Sequence, residues 1–348
     1  MTKEWTNWFK NWKVSPITFR RLSFATLVFL AIIIVTGGAV RLTQSGLGCP
    51  TWPDCTANHL VAADSFHPMV EFVNRLITIG ASTIVMLSAL AAFLRKPFRK
   101  DIAWLAMGLV GGLIAEIVLG GLTVLAKLAP PYVMAHFILA ILIVWNAIVL
   151  YAHSATDDRV PTRRVSKETV LWGRLVLLVL GAVIFVGTAV TGSGPHSGSP
   201  IAQRLPFKLR DVAQLHADIV WLLIGLTLVG LLLLKQSGAP EDVQKVGRFL
   251  LVVEALQGAI GYTQYFTNLP ALLVGFHIAG ATVVWMTALW MNLLFFERGT
   301  LEDEASRNQD DPTTIFEIPQ DQAGSEQPRI PASSTQHSFL TGDGRLIE

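Results

Sequence analysis

Residues 23–41 read SFATLVFLAIIIVTGGAVR, and the only charged residue among them is Arg41 at the end. An α-helix needs about 20 predominantly apolar residues to cross the hydrocarbon core of a bilayer. The stretch therefore predicts a membrane-spanning helix. A cleaved signal peptide is the alternative for an apolar run near an N-terminus. This run is long and lacks a convincing small-residue cleavage site, so we expect a retained helix.

Seven further apolar runs follow, separated by charged or Gly/Pro-rich breaks. Together with the first, the predicted spans are 23–41, 69–94, 102–126, 132–153, 171–192, 212–234, 248–266 and 270–296. Of the 348 residues, 52% are hydrophobic and only 15% are charged. This pattern indicates an all-α membrane protein with eight transmembrane helices. It excludes a secreted disulfide scaffold, a coiled coil and a nucleic-acid-binding protein.

The loops on the two sides of the predicted spans differ in their content of Lys and Arg. The N-terminus and loops 95–100, 154–167 and 235–248 hold sixteen of these residues, and the opposite loops hold four. Cytoplasmic loops of membrane proteins carry an excess of Lys and Arg. We therefore expect both termini to be cytoplasmic.

The charges also divide the chain into segments. Residues 299–348 hold three Arg against ten Asp or Glu and few large apolar residues, a composition typical of disorder. The predicted segments are a cytoplasmic N-terminal segment (1–22), a four-helix bundle (23–153), a cytoplasmic linker (154–170), a second four-helix bundle (171–296) and a disordered acidic cytoplasmic tail (297–348).

The two predicted bundles share short sequence patterns. Gly37-Gly38-Ala39-Val40 resembles Gly187-Thr188-Ala189-Val190, Glu116 with Gly120 resembles Glu254 with Gly258, and Pro130 before His136 resembles Pro270 before His277. Matches that recur in the same order indicate an internal repeat. We predict two tandem four-helix bundles related by a pseudo-twofold repeat.

Three histidines lie inside predicted spans, namely His136, His216 and His277. Each is about five to seven residues from the outer end of its span, which places the imidazoles at similar depth, roughly 7–10 Å inside. Histidines at one depth on different helices can hold a large planar ligand, and haem with axial imidazoles suits this geometry. The alternative is that each histidine hydrogen-bonds a neighbouring helix. The remaining histidines, in loops, at helix ends or in the tail, are His59, His67, His153, His196 and His337.

The second predicted span lacks the histidine that the matching span of the second bundle carries. The repeat places Asn74 where the second bundle has His216, and His67, Glu71 and Asn74 share one helical face. A buried carboxylate beside a porphyrin could accept a proton or stabilise positive charge. Alternatively, Glu71 pairs with Arg41 or Arg75 at the rim.

Two carboxylates deeper in the predicted spans, Glu116 and Glu254, admit both a structural and a functional interpretation. Both lie near mid-membrane, and we expect helix-to-helix hydrogen bonding, with a functional role as the alternative.

Cys49 and Cys55 lie in the first outer loop, Gly48-Cys49-Pro50-Thr51-Trp52-Pro53-Asp54-Cys55. The outer side of a membrane is oxidising, so a disulfide is expected. A redox role for the pair above the first bundle and a zinc site shared with His59 are the alternatives.

These motifs together resemble the haem A synthase family, the membrane enzymes that make the haem of aa3-type cytochrome oxidases. The matching pieces are residues 37–46 (GGAVRLTQSG), the cysteine loop, Glu71-Phe72-Val73-Asn74-Arg75, Gly121-Leu122-Thr123-Val124 with His136, Thr191-Gly192-Ser193-Gly194-Pro195-His196, His216, and Gln257-Gly258 with His277. They extend over all eight predicted spans and leave only the two ends of the chain uncovered.

The resemblance implies oxidation of the C8 methyl group of haem O to a formyl group, which gives haem A. It implies axial ligation of a resident haem b by His216 and His277, a substrate haem at His136, Glu71 as the catalytic carboxylate, and Arg41 and Arg75 near propionates. Many members have histidine where this chain has Asn74. Either His67 supplies the second ligand, or the substrate iron is coordinated from one side. This chain also lacks a cysteine pair that some members carry in loop 193–211.

The resemblance further implies a bacterial-type plasma membrane, with the haem sites toward the outer face. Expected partners are a haem O synthase, oxidase assembly factors, an electron donor, membrane lipid and further copies of the chain, with no nucleic acid.

Two other functional classes of membrane protein remain open. A two-haem b-type cytochrome of the quinol or ferric-reductase kind would have matched bis-histidine sites, and a transporter would have broken helices with polar midplane sites.

Overall fold

The computed structural model describes residues 13–56, 61–62 and 64–310. Eight long helices account for most of them. They are α1 (Pro16–Leu42), α2 (Phe66–Leu94), α3 (Lys100–Leu125), α4 (Pro130–Ser154), α5 (Lys167–Ser193), α6 (Leu209–Gln236), α7 (Glu241–Phe266) and α8 (Ala271–Leu294). Strands β1 (Thr162–Arg163) and β2 (Phe296–Glu297) pair antiparallel, and helix α9 (Leu301–Asp310) follows. Each predicted span coincides with one of the eight helices.

Seven of these helices have the length and hydropathy of membrane spans, which identifies an all-α, multi-pass membrane protein. The helix outside that set is α7, which has 26 residues but begins with two charged turns that contain Glu241, Asp242, Lys245 and Arg248. Because these turns are polar, the predicted span begins only at Arg248, after which the apolar run follows, whereas the helix starts seven residues earlier.

Helices α1 and α5 begin in the same way. Ser15 and Ser166 accept hydrogen bonds through their side chains from the backbone N–H groups of Thr18 and Thr169, at 3.1 and 3.2 Å. A serine N-cap satisfies one of the backbone donors that the first helical turn leaves without a partner. Both helices therefore start at a polar capping residue and not where the hydrophobic run begins.

The helices form two groups of four. In the first group, α1 packs against α2 and α4, and α3 packs against α2 and α4. In the second group, α5 packs against α6 and α8, and α7 packs against α6 and α8. The groups meet through α1, α4, α5 and α8, where the indole N–H of Trp285 donates to the carbonyl of Ile141. Each group is thus a closed ring with its own interior.

The turns before α4 and α8 have the same unusual backbone. Lys127 and Leu128 have φ angles of 53° and 60°, and Asn268 and Leu269 have φ angles of 61° and 59°. Two consecutive non-glycine residues in the left-handed region are uncommon. Each turn leads into a helix whose seventh residue is a histidine, His136 or His277.

The expectation of disorder from residue 297 onward is wrong for residues 297–310. β2 pairs with β1, and Glu304 of α9 forms a buried ion pair with Arg95, with 2.6 Å between nitrogen and oxygen. A buried arginine requires a partner of this kind, which the local composition of the tail does not reveal. The rest of the predicted tail, residues 311–348, lies outside the described residues.

Candidate functional site

The cysteine loop, residues 48–55, bridges α2 and α3. The predicted disulfide is present between Cys49 and Cys55, and both side chains are fully buried. Trp52 lies so close to α3 that a Cβ atom added to Gly121 would be 2.8 Å from its indole ring. Only glycine leaves that space, so this contact fixes the loop against α3. Apart from the glycine itself, no feature of the sequence predicts this contact.

Glu71 on α2 is hydrogen-bonded to the cysteine loop. Its Oε2 accepts from the backbone N–H of Cys49 at 2.8 Å, and its Oε1 accepts from the guanidinium of Arg75 at 2.7 Å. The residue is 6% exposed, and charge-assisted hydrogen bonds are strong in such surroundings. Of the two arginines considered as partners for Glu71, the one that pairs with it is Arg75.

Arg75 holds the shape of the cysteine loop. In addition to Glu71, its guanidinium donates to loop carbonyl oxygens at 3.0–3.3 Å, those of Cys49, Thr51, Pro53 and Asp54. Both terminal nitrogens therefore have protein partners. A contact between Arg75 and a haem propionate stays a prediction.

His67 and Asn74, the two neighbours of Glu71 on the predicted helical face, have different surroundings. His67 is exposed in the first turn of α2, and its Nδ1 is hydrogen-bonded to the Ser45 hydroxyl at 3.0 Å. It borders a cleft of about 400 Å³ that is also lined by Gln44 and Ser199. The Oδ1 atom of Asn74 is buried and has no hydrogen-bond partner among the described residues.

His136 on α4 faces Glu116 on α3. The Nδ1 atom of His136 is 3.2 Å from Oε1 of Glu116, but the ring is not oriented so that an N–H at Nδ1 would form a hydrogen bond with that oxygen. The Oε2 atom of Glu116 is buried, and it too lacks a partner within the described part of the chain. The imidazole lies over Gly120, where an added Cβ atom would be 3.1 Å from its Cε1.

His216 and His277 form a pair inside the second helix group. Their ring centroids are 6.3 Å apart, with 69° between the ring planes. Two imidazoles that bind one metal ion from opposite sides, with metal–nitrogen bonds of about 2 Å, have centroids roughly 6 Å apart. Nδ1 of His216 donates to the Val183 carbonyl at 3.1 Å, which leaves Nε2 with the lone pair that a metal requires. The pair therefore fits the two axial ligands of one haem.

Glycines accompany both histidines of this pair. An added Cβ atom would be 3.2 Å from Cε1 of His216 at Gly187, and 3.4 Å from Cε1 of His277 at Gly261. In the first group, Gly120 lies in the same way under His136. A Cβ atom added at Gly37, which the predicted repeat matches with Gly187, would meet no atom within 4 Å. There is thus open space at Gly37, whereas an imidazole lies next to Gly187.

Glu254 on α7 is not the counterpart of Glu116. Glu116 lies nine residues before the end of α3, and the residue nine before the end of α7 is Gln257. The sequence match of Glu116 with Glu254 is therefore wrong by almost one helical turn. The helix-to-helix hydrogen bond expected for Glu254 is confirmed, because Glu254 accepts from the Thr227 hydroxyl of α6 at 3.0 Å.

Arg41 connects the two helix groups. Its Nη2 donates to the Thr191 carbonyl at the end of α5 at 3.1 Å, and its buried Nε has no partner among the described residues. It does not pair with Glu71, and its proximity to a propionate stays a prediction.

The other histidines do not join these sites. His153 pairs with Asp101 at the opposite end of the helices, and Nε2 of His196 donates to the Leu269 carbonyl. His59 and His337 lie outside the described residues, and so does the alternative zinc site with His59. Within residues 13–56, 61–62 and 64–310, no group of three or more His, Cys, Asp or Glu side chains could hold a metal ion.

Comparison with known proteins matches this arrangement to one family. The family model described as "Cytochrome oxidase assembly protein" (COX15-CtaA) matches residues 20–196, about half of the chain. The chain belongs to this family. The matched range covers the first helix group from Arg20 of α1 onward, together with the cysteine loop and α5.

Relatives of this family extend the similarity over both helix groups. A protein named heme A synthase from Shewanella oneidensis is 22% identical over 325 residues, covering 79% of this chain and 96% of its own length. A heme A synthase from Rhizobium johnstonii is 26% identical over 317 residues, with 76% and 86% covered. A third, from Caulobacter sp. strain K31, is 22% identical over 344 residues, with 81% and 97% covered.

Proposed function

We propose that the chain is a haem A synthase, an oxidoreductase that converts the C8 methyl group of haem O into the formyl group of haem A for cytochrome oxidase. The family and the three relatives of that name support this activity. The observation in this chain that supports the activity is the asymmetry between the helix groups. One contains a pair of facing histidines, and the other contains a single histidine beside open space.

In the proposed topology all eight long helices cross the membrane, including α7. The position of α7 between α6 and α8 in a closed ring supports this crossing, because a helix outside the bilayer could not pack along both. The excess of Lys and Arg in alternate loops supports cytoplasmic termini in a bacterial-type plasma membrane, with the cysteine loop and histidines toward the outer face.

The two helix groups are proposed to be tandem repeats related by a pseudo-twofold axis, residues 23–153 and 171–296. Three shared features support this. They are the serine caps of α1 and α5, the paired left-handed residues before α4 and α8, and the histidine at the seventh position of both following helices.

Haem b is the proposed resident cofactor of the second group, with His216 and His277 as axial ligands. When bound, it supplies a one-electron carrier next to the substrate site. The Val183 carbonyl fixes the tautomer of His216, and Gly187 and Gly261 leave room for both rings. A hydrogen-bond partner of this kind fixes the tautomer and ring orientation of a metal-binding histidine.

Haem O is the proposed substrate in the first group, with His136 as the protein ligand of its iron. His67 is hydrogen-bonded to Ser45 in the first turn of α2, and Asn74 has a buried carbonyl oxygen without a partner among the described residues. These contacts support a substrate iron coordinated by protein from one side only.

Glu71 is the proposed catalytic carboxylate. Two donors, the Cys49 amide and Arg75, hold it in place, so it can stabilise positive charge or accept a proton without reorganising. The cysteine loop then serves as the support of Glu71, and its disulfide maintains that support. Arg41, between the helix groups, remains the better candidate for a propionate contact, since its Nε has no partner in the described structure.

The proposed partners are a haem O synthase that delivers the substrate, oxidase assembly factors that accept the product, an electron donor, lipid and further copies of the chain. The comparisons do not favour a plain two-haem cytochrome or a transporter. The absence of a histidine at Asn74 also disfavours two matched bis-histidine sites.

The test of this function is conversion of haem O by the purified full-length protein. Protein in detergent is loaded with haem O, supplied with a reductant and oxygen, and its haems are extracted and separated. We expect haem A to accumulate while haem B stays constant. Haem O that remains unchanged, in protein with an intact b-type spectrum, would overturn the proposal in favour of a plain cytochrome.

A further inference from the structure

The histidines of the two helix groups differ in what faces their Nδ1 atoms. In the second group, Nδ1 of His216 donates to a neutral backbone carbonyl. In the first group, Nδ1 of His136 lies 3.2 Å from a carboxylate oxygen of Glu116. We propose that Glu116 is a positioning residue that accepts the Nδ1–H hydrogen bond of His136 and makes this imidazole the strongest electron donor among the three haem-ligand histidines. The inference rests on the proposed ligation of substrate haem by His136.

The counterpart of Glu116 in the second group has a different side-chain direction. Gln257 points at α8, where its Nε2 occupies the space of the Cβ atom that Gly280 lacks. Gly280 is the tenth residue of α8, and the tenth residue of α4 is Leu139. A leucine does not leave that space, so the equivalent side chain in the first group turns to the imidazole instead. The two groups therefore use one backbone position in two ways.

The surroundings of Glu116 suit this role better than a purely structural one. A structural carboxylate between helices hydrogen-bonds a neighbouring helix, as Oε1 of Glu254 does when it accepts from the Thr227 hydroxyl. The Oε2 atoms of Glu116 and Glu254 are both buried and without a partner in the described chain, but Oε1 of Glu116 faces the His136 imidazole at 3.2 Å and no helix-to-helix hydrogen-bond donor. A turn of the ring that points N–H at Oε1 would complete the hydrogen bond.

A carboxylate at this position has a definite effect on a metal-bound imidazole. A ligand histidine that donates its second N–H to a carboxylate is fixed in one tautomer and becomes more basic. Stronger donation stabilises the oxidised iron, which lowers the reduction potential of the first site relative to a site with neutral second partners. Glu116 would thereby set the direction of electron transfer between the two groups.

The experiment uses full-length protein that retains haem b, with added hemin as the probe of the first site. Glu116→Gln keeps the shape and an acceptor oxygen but removes the charge, and Glu116→Ala removes both. Glu254→Gln is the matched control, since it changes a buried carboxylate that does not face a histidine. The low-spin haem b spectrum reports that each variant is folded.

We expect Glu116→Gln to lower the iron–imidazole stretching frequency of the ferrous first-site haem and to raise its reduction potential. Glu116→Ala should weaken hemin binding by roughly 10- to 100-fold, the range found for lost outer-shell partners. Glu254→Gln should change none of these. A Glu116→Gln variant with the parent's frequency and potential would overturn the inference. Because hemin needs no turnover, failure of the parent to convert haem O would overturn the proposed function without affecting this result.

Discussion

The two helix groups share one arrangement of helices, which the proposed function uses for two different tasks. Both are rings of four helices with a histidine at the seventh position of the last helix. The second group adds His216 over Gly187, whereas the first has Asn74 and open space at Gly37. Inside the two rings, this difference lies in the side chains. A closed pair of ligands suits electron transfer, and an open position suits chemistry on a bound molecule.

The groups also differ at the ends of their first two helices. The first group has a disulfide-closed loop that is held by Arg75 and Glu71. The corresponding loop of the second group is attached through His196 to the Leu269 carbonyl. The loop of the first group thus holds Glu71 of α2, the proposed catalytic carboxylate, whereas the loop of the second group contacts the turn before α8.

The largest expected effect is the loss of the second site. His277→Ala should abolish the low-spin haem b signal of the purified protein, because one imidazole cannot provide both axial ligands. His153→Ala, at the opposite end of the helices, is the control and should keep the signal. A normal b-type spectrum from His277→Ala would remove the distinction between the groups.

The next effect concerns Glu71 and the chemistry assigned to the first group. Glu71→Gln should keep haem b and still bind haem O, but product formation should fall by roughly two to four orders of magnitude, the range for losing an acid–base group. The glutamine can still accept from the Cys49 amide, so the loop should stay in place. Near-normal haem A production would leave Glu71 as a support of the loop alone.

A change at Asn74 can make the first group resemble the second. Asn74→His should place an imidazole over Gly37, where there is open space, and convert the substrate iron to low spin. The double variant Gly37→Leu, Asn74→His is the control, since the leucine fills that space and should prevent the conversion. An unchanged spin state in the single variant would contradict the match between Gly37 and Gly187.

The disulfide should have a smaller effect that is confined to the first group. Cys49 and Cys55 should resist alkylation in the purified protein until reductant is added. The chain-entropy model assigns about 2 kcal/mol to closing so short a loop. The Cys49→Ser, Cys55→Ser variant should therefore lower thermal stability modestly and leave the haem b spectrum unchanged. Immediate labelling of both thiols in intact cells would contradict the disulfide.

The smallest effect is expected for His67, in the first turn of α2. His67→Ala should leave the spectrum of the haem O complex nearly unchanged, because His67 is exposed and hydrogen-bonded to Ser45. Ser45→Ala serves as the comparison, since it removes the partner and keeps the imidazole. A large spectral change in His67→Ala alone would identify His67 as the second ligand of the substrate iron.

Much of the fold could be predicted from the sequence because long apolar runs predict membrane helices directly. The start of α7 could not, since its first two turns are charged, and α1 and α5 start at serine caps before their apolar runs. The sequence does not predict that α9 is a structured helix, because the partner of Glu304 is Arg95, which is distant in sequence. Contacts between remote residues leave no local pattern.

The candidate site was predictable at the level of residue types. The embedded histidines, the cysteine pair and Glu71 stand out because polar groups in apolar segments are costly. Their contacts were not predictable. The bond from the Cys49 amide to Glu71 and the closeness of Glu116 to His136 depend on helix rotation, and a register error of almost one turn misassigned Glu254.

The most direct test of the asymmetry is the haem content of two purified proteins, the parent and His136→Ala, both loaded with haem O and then extracted. We expect the parent to yield haem B together with haem O or haem A. His136→Ala should yield haem B in the same amount, with the other haems lost. Loss of haem B from His136→Ala, or full retention of haem O by it, would contradict the assignment of the two haems to separate helix groups.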